Sequence, residues 1–142
     1  MQNPQFQPYL VFNGNCGEAM RFYERVLGAK VEAIMKMGEA PEPCPGMPPD
    51  AKDLVMHARI SIGERALMAS DAMPGQPYEG MKGFSVVLVY PAVDEARRVF
   101  DALSEGGQVV VPMYTTFWAE SFGMLVDRYG APWMVNGALA PM

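Results

Sequence analysis

The chain has 142 residues, with 11 Lys and Arg against 16 Asp and Glu, which gives a net charge of −5. Its length suits one domain with its own hydrophobic core, and no uncharged apolar run approaches the roughly 20 residues that span a bilayer. The acidic balance argues against a nucleic-acid partner, because that binding depends on basic patches. We therefore expect neither a membrane span nor nucleic-acid binding.

The N-terminus and the two cysteines indicate the compartment. The opening stretch, MQNPQFQPYLVF, has no basic residue ahead of an apolar run and no small-residue cleavage site, so it does not resemble a signal peptide. Cys16 and Cys44 are too few for a disulfide framework and lie outside a Cys-x-x-Cys spacing, which excludes zinc-ribbon and thioredoxin-type sites. We expect a cytoplasmic protein in which Cys44 is exposed and unreactive.

The first half of the chain predicts one helix among four strands. The strands are predicted at 9–13, 30–37, 54–62 and 66–70, and the helix at 16–27. Asn15 and Glu18 have the spacing of a capping box at the helix start, and Gly28 is expected to end the helix. The apolar stripe of this helix consists of Ala19, Phe22, Tyr23, Val26 and Leu27.

The second half repeats this order of elements. Strands are predicted at 84–90, 108–113, 117–126 and 133–136, and a helix at 94–105 with the stripe Ala96, Val99, Phe100 and Leu103. A shift of 77 positions overlays Glu18-Ala19-x-Arg21 on Glu95-Ala96-x-Arg98, and a shift of 66 overlays Leu67-Met68 on Trp133-Met134. Segments 38–50 and 72–83 are rich in Pro and Gly, which predicts loops.

The repeat predicts the architecture. We expect an α+β fold built from tandem βαβββ modules, about 8–71 and 83–137, within a single domain of residues 1–142. The eight strands are expected to form one curled mixed sheet with the helices on its outer face.

Three segments of the chain resemble a known family. The opening PYLVFNGNCGEAMRFYERVLGA, the segment LMASD and the closing TFWAESFGMLVDRYGAPWMVN resemble the PhnB-like branch of the vicinal oxygen chelate superfamily. That superfamily includes glyoxalase I, extradiol dioxygenases and fosfomycin-resistance proteins. The resemblance runs from about Tyr9 to Asn136, and it implies a glyoxalase-like sheet curled around a concave pocket, in a homodimer that completes the pocket.

The resemblance also implies where a metal ion would bind. Metal-using members place His or Glu ligands on the first and last strands of each module, and those positions fall on Pro8, Met68, Ser85 and Met134. The repeat supports this mapping, because the same shifts bring Pro8 onto Ser85 and Met68 onto Met134. None of the four side chains suits a hard divalent ion. We expect no metal ion and no other cofactor.

The candidate binding residues belong to the predicted concave face. Because strand 54–62 alternates, His57 and Arg59 lie opposite its apolar side chains, which the helices cover. Arg59 either holds an anionic group of a ligand or pairs with Asp71 or Glu120, and His57 is either structural or functional. The full set of candidate binding residues is His57, Arg59, Met68, Ser85, Trp118, Glu120, Met134 and Asn136.

The other candidates have assigned roles. Met68 and Met134 are expected to form an adaptable apolar floor, and Ser85 and Asn136 to offer neutral hydrogen bonds. The ring of Trp118 suits a pocket rim.

Trp133 is predicted to be a core residue, and Cys16 has two possible roles. Strand parity places Trp133 against the helices. Cys16 lies in the first turn of a helix, where the helix dipole would lower a thiol pKa, or it is simply a small residue that fills that turn.

Two classes of function remain open. In the first, the protein binds a small, partly apolar or anionic molecule without a metal ion. In the second, it is a metal-independent enzyme that uses His57 or Glu120 as a general base. The methyltransferase label that such proteins have often carried lacks support, because Gly14 and Gly17 form no Gly-rich cofactor loop and the chain has no room for a doubly wound sheet.

Overall fold

Two successive βαβββ units make up the computed structural model, which describes residues 3–40 and 51–141. The units are Met1–Gly80 and Met81–Met142. The first contains β1 (Tyr9–Phe12), α1 (Cys16–Leu27), β2 (Lys30–Lys36), a 3₁₀ turn (Met37–Glu39), β3 (Val55–Ile62) and β4 (Arg65–Asp71). The second contains β5 (Val86–Tyr90), α2 (Val93–Ser104), β6 (Gln108–Tyr114), β7 (Ala119–Val126) and β8 (Pro132–Leu139). Cys44 lies outside the described residues.

Each unit forms a four-stranded mixed sheet, with strand order β1-β4-β3-β2 in the first and β5-β8-β7-β6 in the second. The first and last strands of each unit, β1 with β4 and β5 with β8, pair in parallel, and the other pairs are antiparallel. The predicted α+β class and the two βαβββ modules are confirmed. The predicted single sheet is not found: the described strands form two four-stranded sheets, each built from the strands of one unit.

Both helices bury their predicted apolar stripes, except that Leu27 at the end of α1 is only half-buried. Helix α1 has the predicted bounds, and α2 begins and ends one residue earlier than the predicted 94–105. Gly28 ends α1 in the left-handed conformation, with φ of 70°, and its backbone N–H donates to the carbonyl of Glu24. No helix in the described part of the chain is long and apolar enough to cross a membrane.

The start of α1 is capped by a residue from another strand. The Asn15 side chain makes no capping hydrogen bond, so the predicted capping box is wrong. Asp71, at the end of β4, accepts from the backbone N–H of Gly14 at 3.0 Å and of Cys16 at 2.9 Å through one oxygen, and from the N–H of Val55 at 2.8 Å through the other. An ionised carboxylate is a stronger acceptor than an amide oxygen. A single buried Asp71 therefore ties α1, β3 and β4 together.

The second unit has a comparable buried carboxylate. Asp127 accepts from the backbone N–H groups of Tyr129 and Ala131 through one oxygen, and from the indole Nε1–H of Trp133, at 2.8 Å, through the other. Trp133 is 1% exposed, which confirms its predicted position in the core.

Cys16 is a buried core residue, so the reactive-thiol interpretation is wrong. Burial, and then the negative charge of Asp71, raise the pKa of its thiol from the ordinary value of 9.0 to about 12. Desolvation outweighs the helix dipole here, because the thiol lies within the core instead of facing solvent at the helix end.

We expect the Cys16 thiol to be inert while the protein is folded. In a Cys44→Ser variant, Cys16 is the one remaining thiol, and a disulfide exchange reagent at pH 8 should label it only after denaturant is added. Because the folded pKa lies above the unfolded one, this group's contribution to stability is complete below pH 9 and decreases as the pH rises towards 12. Rapid labelling of the native protein at pH 8 would contradict this burial.

Candidate functional site

The face of the first sheet opposite α1, here called the first open face, carries the predicted polar residues of β3. Helix α1 packs on the side of the sheet where Ala58 and Ile60 are fully buried. His57 and Arg59 alternate with them and are half-buried. The predicted division of β3 into two faces is therefore confirmed.

Strand register brings three candidates together on the first open face. Met68 pairs with Arg59 of β3 and with Tyr9 of β1. The centroids of the His57 and Tyr9 rings are 6.2 Å apart. Arg59 Nη1 donates to Gln7 Oε1 at 3.4 Å. Tyr9 and Gln7 were not among the predicted binding residues. Strand β1 is apolar at every position, so it has no alternation that separates its two faces.

Among the described residues of the first unit, Arg59 has no carboxylate partner. The Asp71 carboxylate is occupied by backbone N–H groups, which rules out one of the predicted pairings. Among residues 3–40 and 51–80, the ion pair that the structure contains is Arg21–Glu24. A half-buried guanidinium that is hydrogen-bonded only to a neutral amide can still bind an anion.

A cavity of about 330 Å³ lies beside this face, between the N-terminal segment and the hairpin that joins β3 and β4. It is lined by Pro4, Gln5, Phe6, Gln7, Glu64, Arg65 and Ala66. None of the predicted binding residues lines it, and only Gln7 contacts one of them. We therefore place the candidate site on the open face and not in this cavity.

The second open face is the side of the β5–β8 sheet turned away from α2. On the helix side, a Cβ atom added to Gly123 would lie 2.6 Å from the Phe100 ring, and one added to Gly137 would lie 2.8 Å from Ala96 Cβ. Strand alternation then places Met134 and the residues of the same parity on the open side.

Two of the predicted residues, Trp118 and Asn136, meet on the second open face, and Met134 lies on the same face. Trp118 Nε1 donates to Asn136 Oδ1 at 3.0 Å. The rings of Trp118 and Phe122 meet edge to face, with their centroids 5.1 Å apart. Phe122 pairs with Asn136 across the sheet, and Met134 pairs with Val87. Phe122 was not predicted, although it shares the parity of Glu120 along β7.

Ser85 and Glu120 lie at the margins of this unit's sheet. Ser85 is half-buried and precedes β5 directly, and Glu120 is exposed near the start of β7. The backbone carbonyl of Glu120 accepts from the Thr115 hydroxyl at 2.9 Å.

The comparisons with known proteins agree with this fold. A family model for the Glyoxalase/Bleomycin resistance protein/Dioxygenase superfamily matches residues 5–135. The chain belongs to this superfamily. Protein YjdN of Escherichia coli K12 is 38% identical over 136 residues, which cover 91% of this chain and 92% of YjdN. The structure of protein PA1353 from Pseudomonas aeruginosa is 51% identical, with a TM-score of 0.87 over 95% of this chain and 98% of that one.

A PhnB protein extends the likeness at the level of the fold. The Bacillus cereus PhnB structure is 24% identical, with a TM-score of 0.76 over 95% of this chain and 100% of that one. The predicted membership of the superfamily is thus confirmed by the family model, and the PhnB protein shares its fold.

Strand register corrects the predicted overlay of the two modules. Tyr9 pairs with Met68, and Val87 pairs with Met134. The two methionines are 66 positions apart, as predicted, but the first strands are related by 78 positions instead of the 77 that relate the helices. The connection between first strand and helix is one residue shorter in the second unit. A one-residue difference reverses the face of every side chain on a strand.

This correction changes one position in the metal-ligand mapping. Ser85 corresponds to Gln7 and not to Pro8, so the four positions now carry an amide, two thioethers and a hydroxyl. Such a set does not fit the divalent ions of the metal-using members, which are bound by imidazole or carboxylate groups. Across residues 3–40 and 51–141, no three His, Cys, Asp or Glu side chains are grouped so as to hold a metal ion.

Proposed function

We propose that this superfamily member binds a small, partly apolar, anionic molecule on the first open face. Arg59 carries the proposal, because its half-buried guanidinium contacts only the amide of Gln7 and no carboxylate in the described part of the first unit. A guanidinium presents several donors in a planar fork that matches carboxylates and phosphates. The ligand's anionic group would complete the hydrogen bonding of Arg59.

Apolar side chains around Arg59 support a partly apolar ligand. Tyr9, Val11 and Met35 each expose more than a third of their surface, and Met68 is half-buried beside Arg59. Methionine is flexible enough to fit ligands of different shape. The ligand-binding roles predicted for Ser85, Met134 and Asn136, and the rim role of Trp118, remain predictions.

The relatives do not favour another function. The superfamily name covers glyoxalases, bleomycin resistance proteins and dioxygenases, so membership alone does not separate enzymes from binding proteins. The Bacillus cereus PhnB protein is named as a proposed 3-demethylubiquinone-9 3-methyltransferase. We do not propose that activity here, because neither four-stranded sheet has the doubly wound parallel order, with a Gly-rich turn, that commonly binds a methyl-donor cofactor.

A screen of small acids, thiol conjugates and antibiotics by thermal shift tests the proposal. For a ligand that stabilises the protein, Arg59→Ala should weaken binding by at least about tenfold, the effect of losing one charged hydrogen bond. Arg65→Ala, which removes an exposed arginine from the neighbouring strand, serves as the matched control and should bind normally. Equal binding by both variants would place the ligand elsewhere.

The alternative function is catalysis without a metal ion, with His57 or Glu120 as general base. For any ligand that binds, product formation that is lost in His57→Ala or Glu120→Gln, and that follows one ionisation, would establish an enzyme. Saturable binding without product would establish a binding protein.

Metal independence has its own measurement. Because the four mapped positions lack imidazole and carboxylate groups, elemental analysis of purified, tag-free protein should give far less than one Zn, Mn, Ni or Fe per chain. A value of about one metal per chain, with ligand binding abolished by a chelator, would contradict the mapping.

We also propose that the protein is a cytoplasmic homodimer. The edge strand β5 exposes Val87 and Val89 by 52% and 53%, and apolar surface on a sheet edge favours association. Light scattering at micromolar concentration should give about twice the chain mass of 15.6 kDa. A mass equal to one chain would reject the dimer.

A further inference from the structure

Two aromatic residues, exposed Phe117 and half-buried Trp118, precede β7 on a hydrogen-bonded turn. The Thr116 hydroxyl accepts from the backbone N–H of Trp118 at 3.2 Å and of Ala119 at 3.1 Å, and the Thr116 N–H donates back to the Ala119 carbonyl. The Trp118 carbonyl in turn accepts from the N–H of Ala140 at 2.7 Å. These bonds fix the backbone that carries Phe117 and Trp118.

The two rings meet almost at a right angle. The Phe117 and Trp118 centroids are 4.9 Å apart, with an interplanar angle of 84°. The hydrogen bond to Asn136 and an edge-to-face contact with Phe122 hold the Trp118 ring in place. In this edge-to-face contact the edge of one ring lies against the face of the other, while most of the Phe117 side chain stays exposed; the side chains of Phe117 and Trp118 are here called the aromatic corner.

Phe117 contributes little to the core, since it is 86% exposed. Burying a phenylalanine side chain stabilises a protein, and Phe117 loses most of that stabilisation. An exposed aromatic side chain on a fixed turn is typical of a contact surface that a rigid scaffold presents.

The charge next to the aromatic corner indicates what it contacts. Glu120 follows Trp118 by two residues, and alternation along β7 places its side chain on the second open face, where Trp118 bonds to Asn136. Its exposed carboxylate forms no ion pair with another described residue of the second unit, where Glu95–Arg98 is the pair that the structure contains. Ring faces carry partial negative charge and attract cations.

We propose that the aromatic corner of Phe117 and Trp118, with Glu120 beside it, binds the alkylated ammonium group of a small organic cation. The rings supply the π faces and Glu120 the counter-charge. The preformed turn means that little ordering is needed on binding. This site is independent of the anion site proposed on the first open face.

The two indole N–H groups of the protein allow a direct test by nuclear magnetic resonance. Trp118 lies at the corner, whereas Trp133 is buried against Asp127 and provides an internal reference. Tetramethylammonium chloride, compared with sodium chloride at equal ionic strength, should shift the Trp118 indole signal saturably and leave the Trp133 signal in place. The neutral isostere tert-butanol should cause a much smaller shift.

Variants separate this site from nonspecific effects. Phe117→Leu should abolish the preference for tetramethylammonium over tert-butanol, and Glu120→Gln should weaken the cation's binding about two- to fivefold. Glu105→Gln, which removes an exposed carboxylate at the end of α2, is the matched control and should bind the cation normally.

Three results would overturn the proposal. They are equal shifts with tert-butanol, unchanged binding by Phe117→Leu, and a Trp118 signal that moves with protein concentration alone, which would mean that a second copy of the chain covers the corner. Since the readout is the Trp118 signal and the probe is a cation, any of these results leaves the proposed anion site of Arg59 standing.

Discussion

Replacing Asp71 by alanine is expected to lower the free energy of unfolding by about 3–5 kcal/mol. Its carboxylate accepts three backbone N–H groups, from Gly14, Cys16 and Val55, and the bonds to Cys16 and Val55 are buried. Alanine would leave those two donors without a partner in the core. Chemical denaturation monitored by fluorescence measures the loss.

Two further variants make the Asp71 measurement specific. Asp53→Ala, at an exposed carboxylate just before β3, should change stability by less than about 0.5 kcal/mol. Asp71→Asn should fall between Asp71→Ala and the parent, because one amide oxygen still accepts while the amide N–H₂ opposes the N–H of Val55. If Asp71→Ala lowered the free energy of unfolding no more than Asp53→Ala does, the Asp71 carboxylate would not be the link between α1 and β3.

Gly137→Ala is expected to destabilise the second unit by about 1–3 kcal/mol. A Cβ atom at this position would lie 2.8 Å from Ala96 Cβ and 3.1 Å from the backbone Cα of Val93. Neither of these atoms moves without displacing α2 from the sheet. Thermal unfolding followed by circular dichroism gives the change.

The neighbouring residue provides the opposite substitution. Ala138 has a φ of 56°, in the left-handed region that costs a residue with a Cβ atom about 1–2 kcal/mol. Glycine adopts this conformation freely, so Ala138→Gly should leave stability unchanged or raise it. If Ala138→Gly lowered the free energy of unfolding as much as Gly137→Ala does, packing against α2 would not explain why residue 137 is a glycine.

Local sequence patterns predicted the helices because each of them repeats within a few residues. The 3.6-residue stripe from Ala19 to Val26 and the stop at Gly28 are properties of neighbouring side chains, and both are found in the structure. The alternation in β3 likewise predicted that His57 and Arg59 lie opposite the buried positions. These interpretations needed no knowledge of distant contacts.

The candidate sites were predicted only in part. Met68 was expected near Arg59 and does pair with it, but Tyr9 was missed because both faces of β1 are apolar. On the second open face, the indole bond from Trp118 to Asn136 joins residues 18 positions apart. Nothing in either local segment indicates that bond.

The sequence by itself determined the order of helices and strands, the α+β class and the face of each alternating strand, because these follow from periodicity within one element. Only the tertiary structure decided which group accepts hydrogen bonds from the backbone N–H groups at the start of α1. That group is the carboxylate of Asp71, 55 positions away from Cys16, and the Asn15 side chain makes no capping bond. The tertiary structure also decided the strand register that moves the first ligand position from Pro8 to Gln7, since pairing depends on hydrogen bonds between distant segments. Long-range contacts, which leave no periodic trace, decide the chemistry of both open faces.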